Sequence, residues 1–381
     1  MKIVCISASS VPSNTANSIQ VMKACQALVQ LGHTVHLLVP RHANPPQPNQ
    51  DLKAYYGLAT DFPIEWLPAN LRLHRYDLGW RAIRRARALQ ADVIYTWLPQ
   101  AGLFGLLRGF PLVFELHGPP EGRFGPALFR LLLHLPGQKR LLPITQALAQ
   151  LLAERGMQFD QPARQNSLVV SPNGIDLERY AGLPDPATAR YRLGLKEAPT
   201  VGYTGHLYAG RGVGLLVELA RRLPQVQFLW VGGREADVES WQRKLQAEGL
   251  TNVLLTGFVE NSQLPIYQAA ADVLLMPYER AIAGSSGGNS AAYASPMKMF
   301  EYMACRRPIL SSDLPVIREV LNESNAVLLP PEDAGAWTEG LSRLLADVDL
   351  RNKLAAQAWQ DVQPYTWIER ARRALAGFPT Q

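Results

Sequence analysis

Lys298 and Glu301 stand three residues apart in the run Ser295-Pro296-Met297-Lys298-Met299-Phe300-Glu301-Tyr302-Met303-Ala304, a spacing that puts a cation and a carboxylate on one side of a helix. Serine favours the cap and proline the first helical residue, so the helix is expected to open at Ser295 and Pro296. At about 100° per residue, Met299, Phe300, Met303 and Ala304 form the buried stripe, with Lys298, Glu301 and Tyr302 on the opposite face. Free N–H groups at a helix start, together with the lysine, suit a phosphate. Glu301, nearly a turn further in, suits a sugar hydroxyl. A solvated helix with a surface Lys/Glu pair accounts for the same residues, and the rest of the chain decides between the two.

Those residues need a scaffold. Residues 3–7 form an apolar strand, followed by a polar loop over 9–18. A helix then carries Ile19, Met22, Cys25 and Val29 on one stripe and stops at Gly32, and residues 34–39 form a second strand. A similar β-loop-α-β unit begins near residue 200. Its strand covers 200–204, its glycine-rich loop runs from Gly205 to Gly212, its helix extends to Arg222, and the strand 227–231 closes on Gly232-Gly233. Two such units, each opening a half, predict an α/β protein of two doubly wound domains. Further strands are expected at 93–96, 112–116, 167–170, 253–256 and 273–276. The fourth strand of the first half delivers His117-Gly118 to the carboxyl edge of its sheet. The proline-rich segment 40–50 reads as a loop, residues 160–166 as a crossover linker, and the Gly/Ser-rich stretch 283–290 as a flexible lid or binding loop. The last helix is expected over 366–376.

At 381 residues the chain is long enough for two cores. Its apolar share of 47% and charged share of 18% describe a globular protein, and no apolar run reaches the roughly 20 residues that cross a bilayer. The start at Met1 reads as a first strand rather than a signal peptide, and Cys5, Cys25 and Cys305 lack ligand spacing, so reduced core thiols and a cytoplasmic location are expected. A net charge of +6 favours anionic partners. Arg81, Arg84, Arg85 and Arg87 gather in a helix over 80–90, preceded by Arg72 and Arg75. They make either a solvated face or a contact with an anionic membrane surface or a charged acceptor. The leucine-rich stretch 127–135 is a core helix or a second contact of that kind. No nucleic-acid recognition motif is present, so nucleic acid is not expected as a partner.

With these residues placed, the chain resembles the GT-B glycosyltransferases, specifically the retaining family 4 group. The likeness rests on an ordered series: Gly32-His33-Thr34-Val35, Glu115-Leu116-His117-Gly118, Pro172-Asn173-Gly174-Ile175-Asp176, Gly205-His206-Leu207 through Arg211-Gly212, Gly257-Phe258-Val259, Ala271-Asp272-Val273 with Met276-Pro277, and the run from Ser295 to Ala304. Each piece alone is weak; seven in order cover nearly the whole length. The resemblance implies a GT-B fold of two Rossmann-like domains facing across a cleft. The expected divisions are 1–165 on the acceptor side, 166–362 on the nucleotide-sugar side, and 363–381 as a helix crossing back to the first domain. It also implies a UDP- or GDP-sugar donor and retention of configuration. The motifs do not name the acceptor, for which a lipid-linked sugar, a glycolipid, a polysaccharide and a small metabolite are candidates, and with a cationic phosphate site no metal or other cofactor is expected to be required.

Residue by residue, the resemblance gives Arg211 the diphosphate-binding role and Lys298 a share of the positive charge. Glu301 matches the second glutamate of the family pair, which holds the donor ribose. Phe258 and Val259 offer backbone to the nucleobase, His117 lies beside the donor sugar, and Asn17 and Ser18 contact phosphate or acceptor unless they only cap a helix. Two positions depart from the pattern. Tyr293 stands where the first glutamate of the pair belongs, leaving Ser295, the backbone that follows it (the Pro296 carbonyl and the N–H groups from Met297 on) and Asn289 as candidates to hold the sugar. His206 replaces an arginine of the phosphate loop. These departures keep two other readings in view: a GT-B sugar-nucleotide epimerase and an inactive nucleotide-sugar-binding protein.

Overall fold

The structure, a computed structural model, describes residues 1–41, 51–157, 166–282 and 289–378. Most of the expected proline-rich loop (42–50), the crossover linker (160–165) and the Gly/Ser-rich loop (283–288) lie outside the described residues. The chain divides into two compact units, Met1–Asn173 with Trp367–Gln381, and Gly174–Thr366. The first changeover falls eight residues beyond the boundary expected from the sequence and the second four.

In the first unit the strands β1 (Lys2–Ile6), β2 (Thr34–Pro40), β3 (Ile64–Leu67), β4 (Val93–Thr96), β5 (Leu112–Leu116), β6 (Lys139–Pro143) and β7 (Asn166–Leu168) form one sheet ordered β3-β2-β1-β4-β5-β6-β7. Every pairing is parallel, with Ile3 opposite Val35 on one side and Val93 on the other. Helices cover both faces, and β4 and β5 are buried along their whole length, as the apolar runs of a parallel sheet require.

The helix Ala16–Gln30 departs from its expected stripe. It is buried continuously from Gln20 to Leu28, including Lys23 and Gln26, because the sheet lies on one side and the final helix Trp367–Leu375 packs on the other. Its polar residues are spent internally: Lys23 Nζ donates to the Gly57 carbonyl at 2.5 Å, and Gln26 Oε1 accepts from the Ala59 N–H at 2.6 Å.

The second unit repeats the architecture with β8 (Thr200–Thr204), β9 (Gln227–Val231), β10 (Val253–Leu255), β11 (Val273–Met276), β12 (Ile309–Ser312) and β13 (Val327–Leu329), ordered β10-β9-β8-β11-β12-β13 and parallel throughout. Strand order reverses between β8 and β11, and in open α/β sheets the crevice at the carboxyl ends of such a pair is where ligands bind. The core beneath it joins Phe228, Trp230, Val273, Leu275, Leu310 and Trp337.

Candidate active site

Two loops meet at the carboxyl end of β8 and β11. The loop after β8 opens at Gly205, with φ at +138°, and a Cβ there would stand 2.7 Å from Lys298 Nζ. It closes at Gly212, where φ is +72° and a Cβ would fall 1.7 Å from the Pro277 carbonyl oxygen just after β11. Conformation favours glycine at both places, and at Gly212 the Pro277 backbone leaves no space for anything else. Gly212 directly precedes the helix Val213–Arg222, and its N–H donates to Glu279 Oε1 at 3.2 Å.

Lys298 and Arg211 come together around aromatic rings. Lys298 Nζ lies 4.0 Å from the Tyr203 ring centre and 5.4 Å from that of Tyr278. Arg211 Cζ lies 5.4 Å from the same Tyr278 ring and 5.0 Å from Tyr208, and its Nη2 donates to the Tyr208 hydroxyl at 2.9 Å. The negative ring faces offset part of the repulsion between the two cations. The rest shows in their protonation: burial and the Arg211 guanidinium push the Lys298 ammonium well below its ordinary pKa, against the pull of Glu301. His206 stacks on Tyr208 at 5.1 Å and is lowered to about 4 by burial and by Arg211, Lys298 and Arg234. Arg234, whose guanidinium lies 5.5 Å from the Tyr208 ring, follows Gly232-Gly233. A concentration of positive charge on buried aromatics at a sheet switch point favours an anion.

The Lys298 helix runs Met297–Ala304, and its cap is Pro296, which offers no side-chain hydrogen bond. This corrects the expected start: the helix opens one residue late, and Ser295 is buried ahead of it rather than capping it. Tyr302 also leaves the expected ligand face. It is fully buried, and its hydroxyl accepts the Thr204 N–H at 2.9 Å and pairs with the Thr204 hydroxyl, fastening the helix to the end of β8. Met299, Phe300, Met303 and Ala304 are buried as expected. Glu301 Oε2 accepts from Gln268 Nε2 at 3.0 Å, and Gln268 Oε1 in turn accepts from the Tyr180 hydroxyl.

Asn289 folds into its own loop, its Oδ1 accepting from the N–H groups of Ile282 and Ala291 at 2.9 and 3.0 Å. Tyr293 is half-buried beside it. Phe258 is exposed and Val259 half-buried in the turn after β10, and this turn is tied to the loop after β9 by the Gly232 N–H donating to the Gly257 carbonyl at 2.8 Å.

In the first unit, His117 follows β5 and its Nε2 lies 3.1 Å from Glu115 Oε2. Glu115 is fully buried in a bidentate pair with Arg370 of the final helix, at 2.6 and 2.9 Å. Asn17 is exposed, whereas Ser18 is fully buried, with its hydroxyl donating to the Ser10 carbonyl at 2.7 Å and sharing a hydrogen bond with the Tyr56 hydroxyl at 2.6 Å. Thr15 holds the capping position instead, accepting from the Ser18 N–H. The basic helix spans Tyr76–Ala88; Arg84 lies over the Trp80 ring at 4.7 Å and Arg85 pairs with Glu65 at 2.6 Å. Sequence reasoning missed Tyr203, Tyr208, Tyr278, Arg234 and Arg370. For the aromatics there was no signal, since strands and loops far apart in sequence supply them. Glu115 stands two residues before His117 on an extended chain, and that spacing was a readable hint.

The chain matches the family model described as Glycosyltransferase Family 4 over residues 18–179 and that described as Glycosyl transferases group 1 over residues 198–347. It is 31% identical over 317 residues to a D-inositol 3-phosphate glycosyltransferase of Xylanimonas cellulosilytica, covering 74% of this chain and 70% of the relative. It is 26% identical over 361 residues to a phosphatidyl-myo-inositol mannosyltransferase of Mycolicibacterium smegmatis, covering 91% and 85%. Among solved structures, Anabaena HepE in complex with UDP superposes with a TM-score of 0.72 at 19% identity over 98% of each chain. The sucrose-phosphate synthase of Thermosynechococcus elongatus gives 0.71 at 19% identity, covering 98% of this chain and 97% of that one. Matches to both halves, and a relative of this identity and coverage, make the chain a member of glycosyltransferase family 4 with the GT-B fold of two Rossmann-like domains.

Proposed function

We propose that this glycosyltransferase takes a sugar from a UDP- or GDP-linked donor and moves it to a hydroxyl acceptor with retention of anomeric configuration. The observation that carries the reading is the Arg211–Lys298 pair around Tyr278 at the switch point of the second sheet. As the bond between the sugar and the diphosphate breaks, negative charge grows on the leaving group, and two cations already in position stabilise it without a metal. The acceptor oxygen bonds to the anomeric carbon, the carbon–phosphate-oxygen bond opens, and the acceptor proton passes to the departing diphosphate.

In this reading Glu301 accepts from ribose hydroxyls, the backbone of Phe258 and Val259 meets the base, and Asn289, Ser295, Pro296 and Met297 border the sugar and phosphates. His206 adds a hydrogen bond to a phosphate. His117 is a sugar-hydroxyl contact of the first unit and Asn17 an exposed polar contact there, while Ser18, buried with its hydroxyl and its N–H both engaged, has no part in this reading. HepE has been solved with UDP, with UDP and glucose and with UDP-glucose, which supports the donor class. The names of the relatives make phosphorylated and lipid-bound inositol the first acceptors to try, beside the glycolipid, lipid-linked sugar and polysaccharide classes.

A thermal-shift panel of UDP, GDP, ADP and their common sugars, followed by nucleotide release with and without acceptor, tests this. Release that depends on the acceptor supports transfer. Rearrangement of the donor sugar with no acceptor would instead mark an epimerase, and stabilisation without turnover an inactive binder. We further propose that the helix Tyr76–Ala88 meets an anionic membrane, because Trp80 and Tyr76 are exposed among Arg72, Arg75, Arg81 and Arg84. Among the described residues no helix is long and apolar enough to cross a membrane, so such contact would be peripheral. Vesicles of phosphatidylglycerol are expected to retain the protein, phosphatidylcholine vesicles to release it, and Trp80→Ala with Arg81→Glu to abolish the difference.

A further inference from the structure

Glu115 collects an unusual number of donors. At Oε1 it accepts from the Tyr95 hydroxyl and from Arg370 Nη1 at 2.6 Å. At Oε2 it accepts from Gln20 Nε2 at 2.6 Å, from Trp97 Nε1 at 2.9 Å and from Arg370 Nη2 at 2.9 Å, and His117 Nε2 lies 3.1 Å away. Burial alone would push this carboxyl up, but the Arg370 charge and the hydrogen bonds hold it well below the usual carboxylate range. It is therefore an anion at neutral pH and can only accept. The partners are themselves fixed: Arg370 spends its remaining donors on the carbonyls of Pro172 and Ser171 at 2.9 and 3.3 Å and on the Tyr95 hydroxyl at 3.2 Å, and Trp97 packs on the Tyr95 ring at 5.1 Å. Such a clamp exceeds what is needed to anchor a helix, since Arg370 alone satisfies both carboxylate oxygens.

We infer that Glu115, clamped by Arg370, is a positioning residue for His117: it accepts a hydrogen bond from Nε2–H and so leaves Nδ1, with its lone pair, as the nitrogen presented to a ligand. The inference rests on the reading of His117 as a sugar contact and adds what kind of contact it is. A neutral Nδ1 attracts a hydroxyl proton and repels a phosphate oxygen, so His117 sorts for a sugar O–H. Extended backbone makes the pairing possible, because residues 115 and 117 fall on one side of the chain leaving β5. The final helix thereby acquires a part in the chemistry, for it carries Arg370.

Histidine ¹⁵N spectra of the full chain test the hold directly, with His117→Gln identifying the signal. The expected pattern has the proton on Nε2 and a bare Nδ1 in the neutral ring; a proton on Nδ1 overturns the inference whatever the activity. The second arm is the double variant Glu115→Gln/Arg370→Met, in which both buried charges go together and folding is checked by circular dichroism. Nucleoside diphosphate release from UDP-glucose or GDP-mannose is expected to fall about 10- to 100-fold in kcat, with UDP stabilisation unchanged and the ¹⁵N pattern shifted toward a mixture of tautomers. A folded double variant with unaltered kcat and unaltered ¹⁵N pattern overturns it. If His117→Gln itself leaves kcat intact, the sugar-contact reading fails instead, while the ¹⁵N pattern still decides whether Glu115 orients the ring.

Discussion

At the scale of residues, the second unit gathers more positive charge than its fold needs. Arg211→Ala and Lys298→Ala should each remove a charged hydrogen bond, worth about 1.5–3 kcal/mol or roughly 10- to 100-fold in UDP affinity by calorimetry. Tyr208→Phe keeps the ring under Arg211 and loses only its hydroxyl partner, so a smaller loss is expected. His206 gives a pH signature. Its folded pKa of about 4 lies below the ordinary 6.5, so the neutral ring favours folding above pH 6.5 and that contribution is lost as pH falls toward 4. A bound diphosphate would counter the three cations that depress it and raise its pKa. UDP-glucose, whose diphosphate does not titrate there, is then expected to bind more tightly as pH drops below 6.5, with proton uptake seen by calorimetry in two buffers. His206→Asn should remove the uptake assigned to this ring; unchanged uptake would mean another group supplies it.

At the scale of elements, glycines decide whether the loops can meet. Gly212→Ala would drive a methyl into the Pro277 carbonyl in a left-handed conformation, and a large loss of melting temperature is expected. Gly205→Ala instead presses on the flexible end of Lys298, so UDP binding should suffer more than stability, read by comparing thermal shifts with and without UDP. These glycine loops were legible because β8, rich in threonine, valine and tyrosine, and the apolar β9 both stop at glycine. Other elements were not. The strand β12 follows Ile309-Leu310 with two serines, so no apolar run marks it, and β6 opens on Lys139, which is buried with its ammonium donating to the carbonyls of Leu135 and Gly137. Tyr302 looked polar by its hydroxyl and lies inside because Thr204 satisfies it. The all-round burial of residues 20–28 in the helix Ala16–Gln30 was also hidden, since a stripe in sequence shows one covered face and cannot show that the helix Trp367–Leu375 covers the other.

At the scale of the whole molecule, the chain leaves the first unit at Asn173 and supplies it again from Trp367, so the first core is completed by a segment that follows the second unit in sequence. The Glu115–Arg370 pair spans 255 positions and is the charged part of that closure. Breaking one half of a buried pair strands the other charge, and Arg370→Met is expected to cost about 3–5 kcal/mol by urea denaturation at pH 7, whereas Glu115→Gln/Arg370→Met should recover most of it. The two also separate by pH. In the wild type the Glu115 carboxyl is held below its ordinary 4.5, so its contribution is full above that value and is lost as pH falls through the folded pKa. Without Arg370, burial dominates and the same carboxyl titrates upward, so acidification relieves the variant by neutralising it. The stability gap between wild type and Arg370→Met should therefore narrow from pH 7 to pH 5. A gap that stays constant over that interval would show that Arg370 holds the final helix through its contacts with the Pro172 and Ser171 carbonyls rather than through its charge.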